Sequence, residues 1–267
     1  IWTGEKETGV VYNANTKLLQ YYGESDGSLS KGTVSINGKS YTLDSNGNIP
    51  LTNGENQVNG NWYLYDSSTK KLKTGFQSVS GNRTVYYDPD TAIMFHGEKQ
   101  INGSWYYFDK WSGAEAISTF ITLSDGRVVY YDNQGHMVHG EKQINGNWYY
   151  FNQWTGAETI STFIKLSDGR NVYYDGQGHM LKGWQTINGN TFYFDLANGN
   201  MYTGTHYIDG TKHTFASDGV EDTWGWPFPA DGRGYFTGAQ LFGVNAGGEF
   251  RLNGFHDGLD FGSIDHP

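Results

Sequence analysis

Residues 139–156 read HGEKQINGNWYYFNQWTG, and this stretch decides the fold. A short polar-apolar run leads to an Asn145-Gly146 pair, and four consecutive aromatics, Trp148 to Phe151, follow it. Asn and Gly tolerate the positive φ that both central residues of a type I′ turn require. Asn-Gly between two strand-like runs therefore predicts a β-hairpin. The same text stands at residues 96–113 as HGEKQINGSWYYFDKWSG. More distant copies start at Gly54 (GENQVNGNWYLYD) and Gly183 (GWQTINGNTFYFD). Trp62, Trp105 and Trp148 are each 43 residues apart, and a fixed period of this kind sets the architecture.

Working outward, turn pairs recur at Asn37-Gly38, Asn59-Gly60, Ser80-Gly81, Asn102-Gly103, Asp125-Gly126, Asn145-Gly146, Asp168-Gly169, Asn188-Gly189 and Asp209-Gly210, spaced 20 to 23 residues. The 43-residue period is thus two hairpins of unequal kind, one INGxWYYF and the other LSDGRxVYY, seen at Leu123 and Leu166. One hairpin alone is marginal in water, and stacking hairpins buries their aromatic faces. The predicted fold is all-β: a solenoid of stacked β-hairpins of about 21 residues each. Side chains alternate across a strand, so Trp148 shares a face with Tyr150, and Tyr149 with Phe151. Which pair faces the core is left open by the pattern.

Residues 1–31 are degenerate and are expected to be a cap or insert, since terminal repeats meet water on their outer face. Residues 32–220 carry the repeats. Residues 221–267 read as a linker and the start of a second β domain, cut short by the end of the chain.

Composition excludes several function classes. Only 36% of residues are hydrophobic, yet 16% are aromatic and 38 are Gly. Such a chain suits short strands, Gly turns and aromatic burial. There is no Cys, hence no disulfide and no thiolate metal site. A net charge of −10 without a basic cluster argues against nucleic acid. No apolar run approaches the roughly 18 residues of a membrane span. His136, His139 and His179 recur with the repeat and read as polar surface or inter-repeat hydrogen-bonding residues.

The block GEKQINGNWYYFNQWTGAE, followed by LSDGRNVYYDGQGHMLKGW, resembles the cell-wall-binding and glucan-binding repeats of Gram-positive secreted proteins. These include the C-terminal repeats of glucansucrases and the related choline-binding repeats. The resemblance covers about residues 32–220 and implies ligand sites between successive hairpins. It also implies a monomeric, secreted, wall-associated module with no cofactor of its own. Choline repeats take one cage wall from the Trp of a Gly-Trp pair. Here that pair occurs within the repeats at Gly183-Trp184, while Gly54, Gly97 and Gly140 are each followed by Glu. The first expectation is therefore α-glucan or another wall polysaccharide. Choline or teichoic acid is the alternative, and a spacer without a ligand is the third reading. A sugar needs an aromatic platform and hydrogen-bonding partners. Trp111 and Trp154, just beyond their strands, with Gln100, Gln143 and Lys165, are candidates. Trp105, Trp148, Tyr131, Tyr174 and Trp184 complete the expected set.

In the tail, His256-Asp257-Gly258-Leu259-Asp260 is HxxxD within GEFRLNGFHDGLDFGS. This resembles the opening of lysostaphin-type zinc metallopeptidases, which cut peptidoglycan cross-bridges. The resemblance makes His256 and Asp260 the first two zinc ligands. A catalytic zinc needs three protein ligands and an open position, and the third is absent here. The chain as given is expected not to be a peptidase, while an intact parent would hold zinc and act on peptidoglycan.

Overall fold

The computed structural model describes residues 6–222 of the 267. These residues contain no helix. They form ten small antiparallel sheets: nine two-stranded hairpins and one three-stranded sheet, in which Asn61–Asp66 pairs with both Gly54–Val58 and Lys71–Lys73. The expected cap contains a hairpin of its own, Gly9–Asn13 against Leu18–Tyr22. The tail motif with His256 and Asp260 lies outside the described residues.

The turns divide into two kinds. At Asn102-Gly103 and Asn145-Gly146 both residues have positive φ, as a type I′ turn demands. Strands Gly140–Ile144 and Asn147–Phe151 consequently pair with Gln143 opposite Trp148 and Ile144 opposite Asn147. At Asp125-Gly126 and Asp168-Gly169 only the Gly is left-handed. There the Asp carboxylate accepts the N–H of the following Arg, and the loop is wider.

The chain divides into two compact units. One runs to Ile164 and includes Tyr173–Met180; the other comprises Lys165–Val172 and the residues from Leu181 onward. Within the first unit, each connecting segment reaches back to the preceding hairpin. Met94 N–H donates to Trp62 O at 2.8 Å, Glu115 to Thr84 at 2.8 Å, Met137 to Trp105 at 2.9 Å and Glu158 to Val128 at 2.7 Å. These bonds satisfy the outer edges of two-stranded sheets, whose backbone groups would otherwise lack partners. They also bring each hairpin against the next.

The last aromatic of each second strand forms the core. Tyr87, Phe108, Tyr131 and Phe151 have no exposed surface. Phe151 packs with Tyr130, Val138 and Ile144, and Tyr131 with Leu123, Val129 and Met137. Burying one such ring stabilises the fold by about 1.5–3 kcal/mol. The Tyr149/Phe151 face is therefore the packed one, the two rings stacking at 6.3 Å. In the second unit Tyr193, Ile208 and Phe215 make the equivalent cluster.

Candidate functional site

Two pockets in the first unit are built from matching positions of successive repeats. The larger, about 310 Å³, is lined by Glu98, Trp105, Asp125, Arg127, Met137, Trp154 and Thr155. The smaller, about 110 Å³, is lined by Glu55, Trp62, Arg83, Met94, Trp111 and Ser112.

Local chemistry positions each wall. After strand Ser104–Phe108, the Asp109 carboxylate accepts the N–H groups of Trp111 and Ser112 at 3.1 and 2.7 Å. After strand Asn147–Phe151, Asn152 does the same for Trp154 and Thr155 at 2.9 and 3.0 Å. These Asx turns present the two indoles outward, Trp111 80% and Trp154 89% exposed. Gly113 and Gly156 then take positive φ, and a β-carbon at either would run into the sulfur of Met94 or Met137. Trp105 and Trp62 lie in the strands and are about 40% exposed.

An arginine ties each pocket together. Arg127 donates to the Thr155 carbonyl, to Asp125 Oδ2 at 2.6 Å and to Glu98 Oε2 at 3.4 Å. Arg83 donates to the Ser112 carbonyl and to Glu55 Oε2 at 2.7 Å, with Ser80 O at 3.2 Å in place of a carboxylate. Burial pushes the Glu98 carboxyl up, against the opposing charge of Arg127. Arg127 holds the Asp125 carboxyl below the usual range. Burial, then the Glu98 charge, raises the Tyr131 phenol. Two carboxylates and one guanidinium leave the larger pocket net negative beside two indole faces.

Of the residues singled out in the sequence, the structure brings Trp105 and Trp154 into one pocket and puts Trp111 in the other. Gln100 and Gln143 lie elsewhere, their amides donating to the carbonyls of Gly103 and Gly146 across their own turns. Tyr131 and Tyr174 are fully buried, because they are the closing aromatics of their strands. Lys165 is exposed. Trp148 is partly exposed on its strand. Trp184 belongs to the second unit and packs edge-on against Tyr193 and His213 at 5.0 and 4.8 Å. Sequence reasoning missed Glu98, Arg127 and Met137. Their signal was the recurrence of Gly-Glu, of Arg after Asp-Gly, and of Met at the same step of each repeat.

His136 and His179 bind tyrosines of the preceding hairpin, Nε2 lying 2.9 Å from the hydroxyls of Tyr106 and Tyr149. Among the described residues no group of three or more His, Cys, Asp or Glu side chains is arranged to hold a metal.

Comparison with known proteins follows the same repeat. The family model for the choline-binding repeat matches three times, at residues 73–120, 122–163 and 164–206. These segments are similar to the choline-binding repeat. Of the two branches weighed on the sequence, the match falls on the choline branch, which the missing Gly-Trp pairs had placed second. Solved structures agree on the fold. CbpJ from Streptococcus pneumoniae TIGR4 is 19% identical with a TM-score of 0.60, over 81% of this chain and 88% of that one. Choline binding protein F of S. pneumoniae, solved in the presence of a peptidoglycan analogue, is 18% identical with a TM-score of 0.53, over 92% of this chain and 100% of its own. The choline-binding domain of CbpL from S. pneumoniae is 21% identical with a TM-score of 0.51, over 74% and 100%. Comparison with the curated proteins returns no match.

Proposed function

We propose that this chain is a wall-binding module whose first unit takes choline, as carried by teichoic acid, in the pockets between its hairpins. The observation that carries this reading is the pairing of Trp105 and Trp154 around Met137, with Glu98 and Asp125 in the same pocket. A trimethylammonium group cannot donate a hydrogen bond and spreads its charge over methyls. It is attracted to indole faces, and nearby carboxylates supply the long-range field. The excess of carboxylate disfavours an anion. The missing Gly-Trp wall is replaced: Glu98 stands at that position, and the second indole, Trp154, comes from the loop beyond the second hairpin downstream. The similarity of residues 73–206 to the choline-binding repeat supports the same ligand class.

A single millimolar site is worth only about 4 kcal/mol. Several such sites on one chain, meeting a polymer that repeats its ligand, gain through effective concentration. That arrangement suits attachment to the surface of a Gram-positive wall. The sequence resemblance of the tail adds a peptidoglycan-cutting zinc peptidase as the cargo, with His256 and Asp260 as two of the zinc ligands.

The test is retention on a quaternary-amine resin and on walls with or without choline. Elution by free choline is expected, with no retention on choline-free walls. Retention on insoluble α-glucan that free choline leaves untouched would favour the polysaccharide reading.

A further inference from the structure

A different groove of the first unit holds a cation site that is already filled. It lies where the hairpin of Gly75–Val79 and Arg83–Tyr87 meets the hairpin of Gly97–Ile101 and Ser104–Phe108. The Lys99 ammonium stands 4.6 Å from the centre of the Phe95 ring and 5.8 Å from that of Tyr86. It lies 3.1 Å from Asp88 Oδ2. Phe76 packs on Tyr86 and on Tyr106, each at 5.1 Å between centres. Two ring faces and a carboxylate around one positive charge are what an aromatic recognition site offers a ligand ammonium. Burial raises the Asp88 carboxyl, but Lys99 and the backbone N–H groups of Asp90 and Thr91 together bring it below its usual range.

The next copy of the repeat lacks the arrangement. Val138 follows Met137 where Phe95 follows Met94, and Lys142 in the GEKQI strand is exposed. Phe120, Tyr130 and Tyr149 still pack there, with centres 4.8 and 5.3 Å apart. The lysine is thus common to both copies. Only where Phe95 supplies a second ring face does it fold into the groove.

We infer that Lys99 is an internal ligand: its ammonium occupies a cation site made by Tyr86, Phe95 and Asp88 and so withdraws this groove from the grooves open to external quaternary ammonium groups. The chain thereby sets how many of its inter-hairpin grooves take ligand, without changing the hairpins themselves. The inference rests on the choline reading for the class of ligand; the site and its occupant come from the Lys99 geometry alone.

The experiment compares the full chain with Lys99→Met and with Lys99→Met combined with Asp88→Asn. Each is titrated with choline chloride. The ring signals of ¹³C-labelled Phe and Tyr report this groove, and tryptophan fluorescence reports the Trp105/Trp154 pocket. In Lys99→Met, choline should shift the Phe95 and Tyr86 signals and raise the stoichiometry by one. The added Asp88→Asn change should weaken that new site at least tenfold. The unaltered chain should show no Phe95 shift. If Lys99→Met loses its dispersed spectrum, Lys99→Gln keeps the polar reach without the charge and carries the same expectation. A folded variant whose Phe95 and Tyr86 signals ignore choline would overturn the inference and reduce Lys99 to a brace. Absence of any tryptophan response in the unaltered chain would instead count against the choline reading of the Trp pocket, and the Phe95 result would still be read on its own.

Discussion

Arg127 donates to the backbone carbonyl of Thr155, the residue that follows Trp154. The bond joins the wide loop of one hairpin to the tip beyond the next, and the same guanidinium reaches Glu98 of the preceding hairpin. Three successive hairpins therefore meet in one pocket. Arg127→Met is expected to weaken choline binding about tenfold, because Trp154 loses its anchor. The stability loss should stay near 1 kcal/mol, since the guanidinium is partly solvated. Calorimetric titration and thermal melting of the same variant separate the two effects.

The two tryptophans of the pocket should answer differently to truncation. Trp154 is 89% exposed and makes little of the fold. Trp154→Ala should leave stability within about 0.5 kcal/mol. It should lower choline affinity by about 1 kcal/mol, the scale of one cation–π contact. Phe151→Ala removes a ring with no exposed surface and should cost about 3–5 kcal/mol. Urea denaturation of both variants checks the contrast. A Trp154 variant as unstable as the Phe151 variant would show that the loop belongs to the core.

Gly146 and Gly156 both have positive φ, at 91° and 66°. A β-carbon at Gly146 meets open space, whereas one at Gly156 meets the Met137 sulfur. Gly146→Ala should cost about 1 kcal/mol from backbone strain alone, and Gly156→Ala about 2 kcal/mol or more. The second change should also disturb the pocket through Met137. Equal costs in denaturation would contradict the packing described.

Burial raises the carboxyls of Glu98, Glu115 and Glu158, opposed in turn by Arg127, His136 and His179. A raised native value means that the folded chain holds these protons more tightly than the unfolded chain. The stability they contribute is full below the unfolded glutamate value of about 4.3 and is lost as pH climbs through the raised values. Asp109 and Asp125, held low, act in the opposite sense and lose their contribution as pH falls through their depressed values. Ligand binding has its own dependence. Choline affinity should fall on acidification just above the ordinary glutamate range, as Glu98 takes up its proton. Glu98→Gln should flatten that profile, as followed by titrations across the range.

Much of the fold was legible from Asn145-Gly146 and its copies, because one turn type fixes both the φ values and the strand register. The aromatic period likewise announced the stacking. Which face is core was not legible: Trp148 and Phe151 are both large and apolar, and they stand on opposite faces of one strand. Burial is decided by the connecting segments, such as the one tying Met137 to Trp105, that lie over one face. The pocket was half legible. Trp154 stood out because it lies beyond its strand, but its partner Trp105 belongs to an earlier repeat, and local spacing carries no such pairing. Gln143 misled because a polar residue beside an aromatic suggests a ligand, whereas its amide serves its own turn. Glu98 misled in the other direction. Read as the loss of a choline wall, it lines the same pocket as Trp105 and Trp154.

The most direct test of the choline pocket is calorimetric titration of the full chain with choline chloride, set beside the Trp105→Ala/Trp154→Ala double variant. The account predicts saturable binding by the unaltered chain that is lost, or at least tenfold weaker, at this pocket in the double variant, which keeps its β circular dichroism spectrum. Undiminished binding in a folded double variant, or no binding by the unaltered chain, would contradict it.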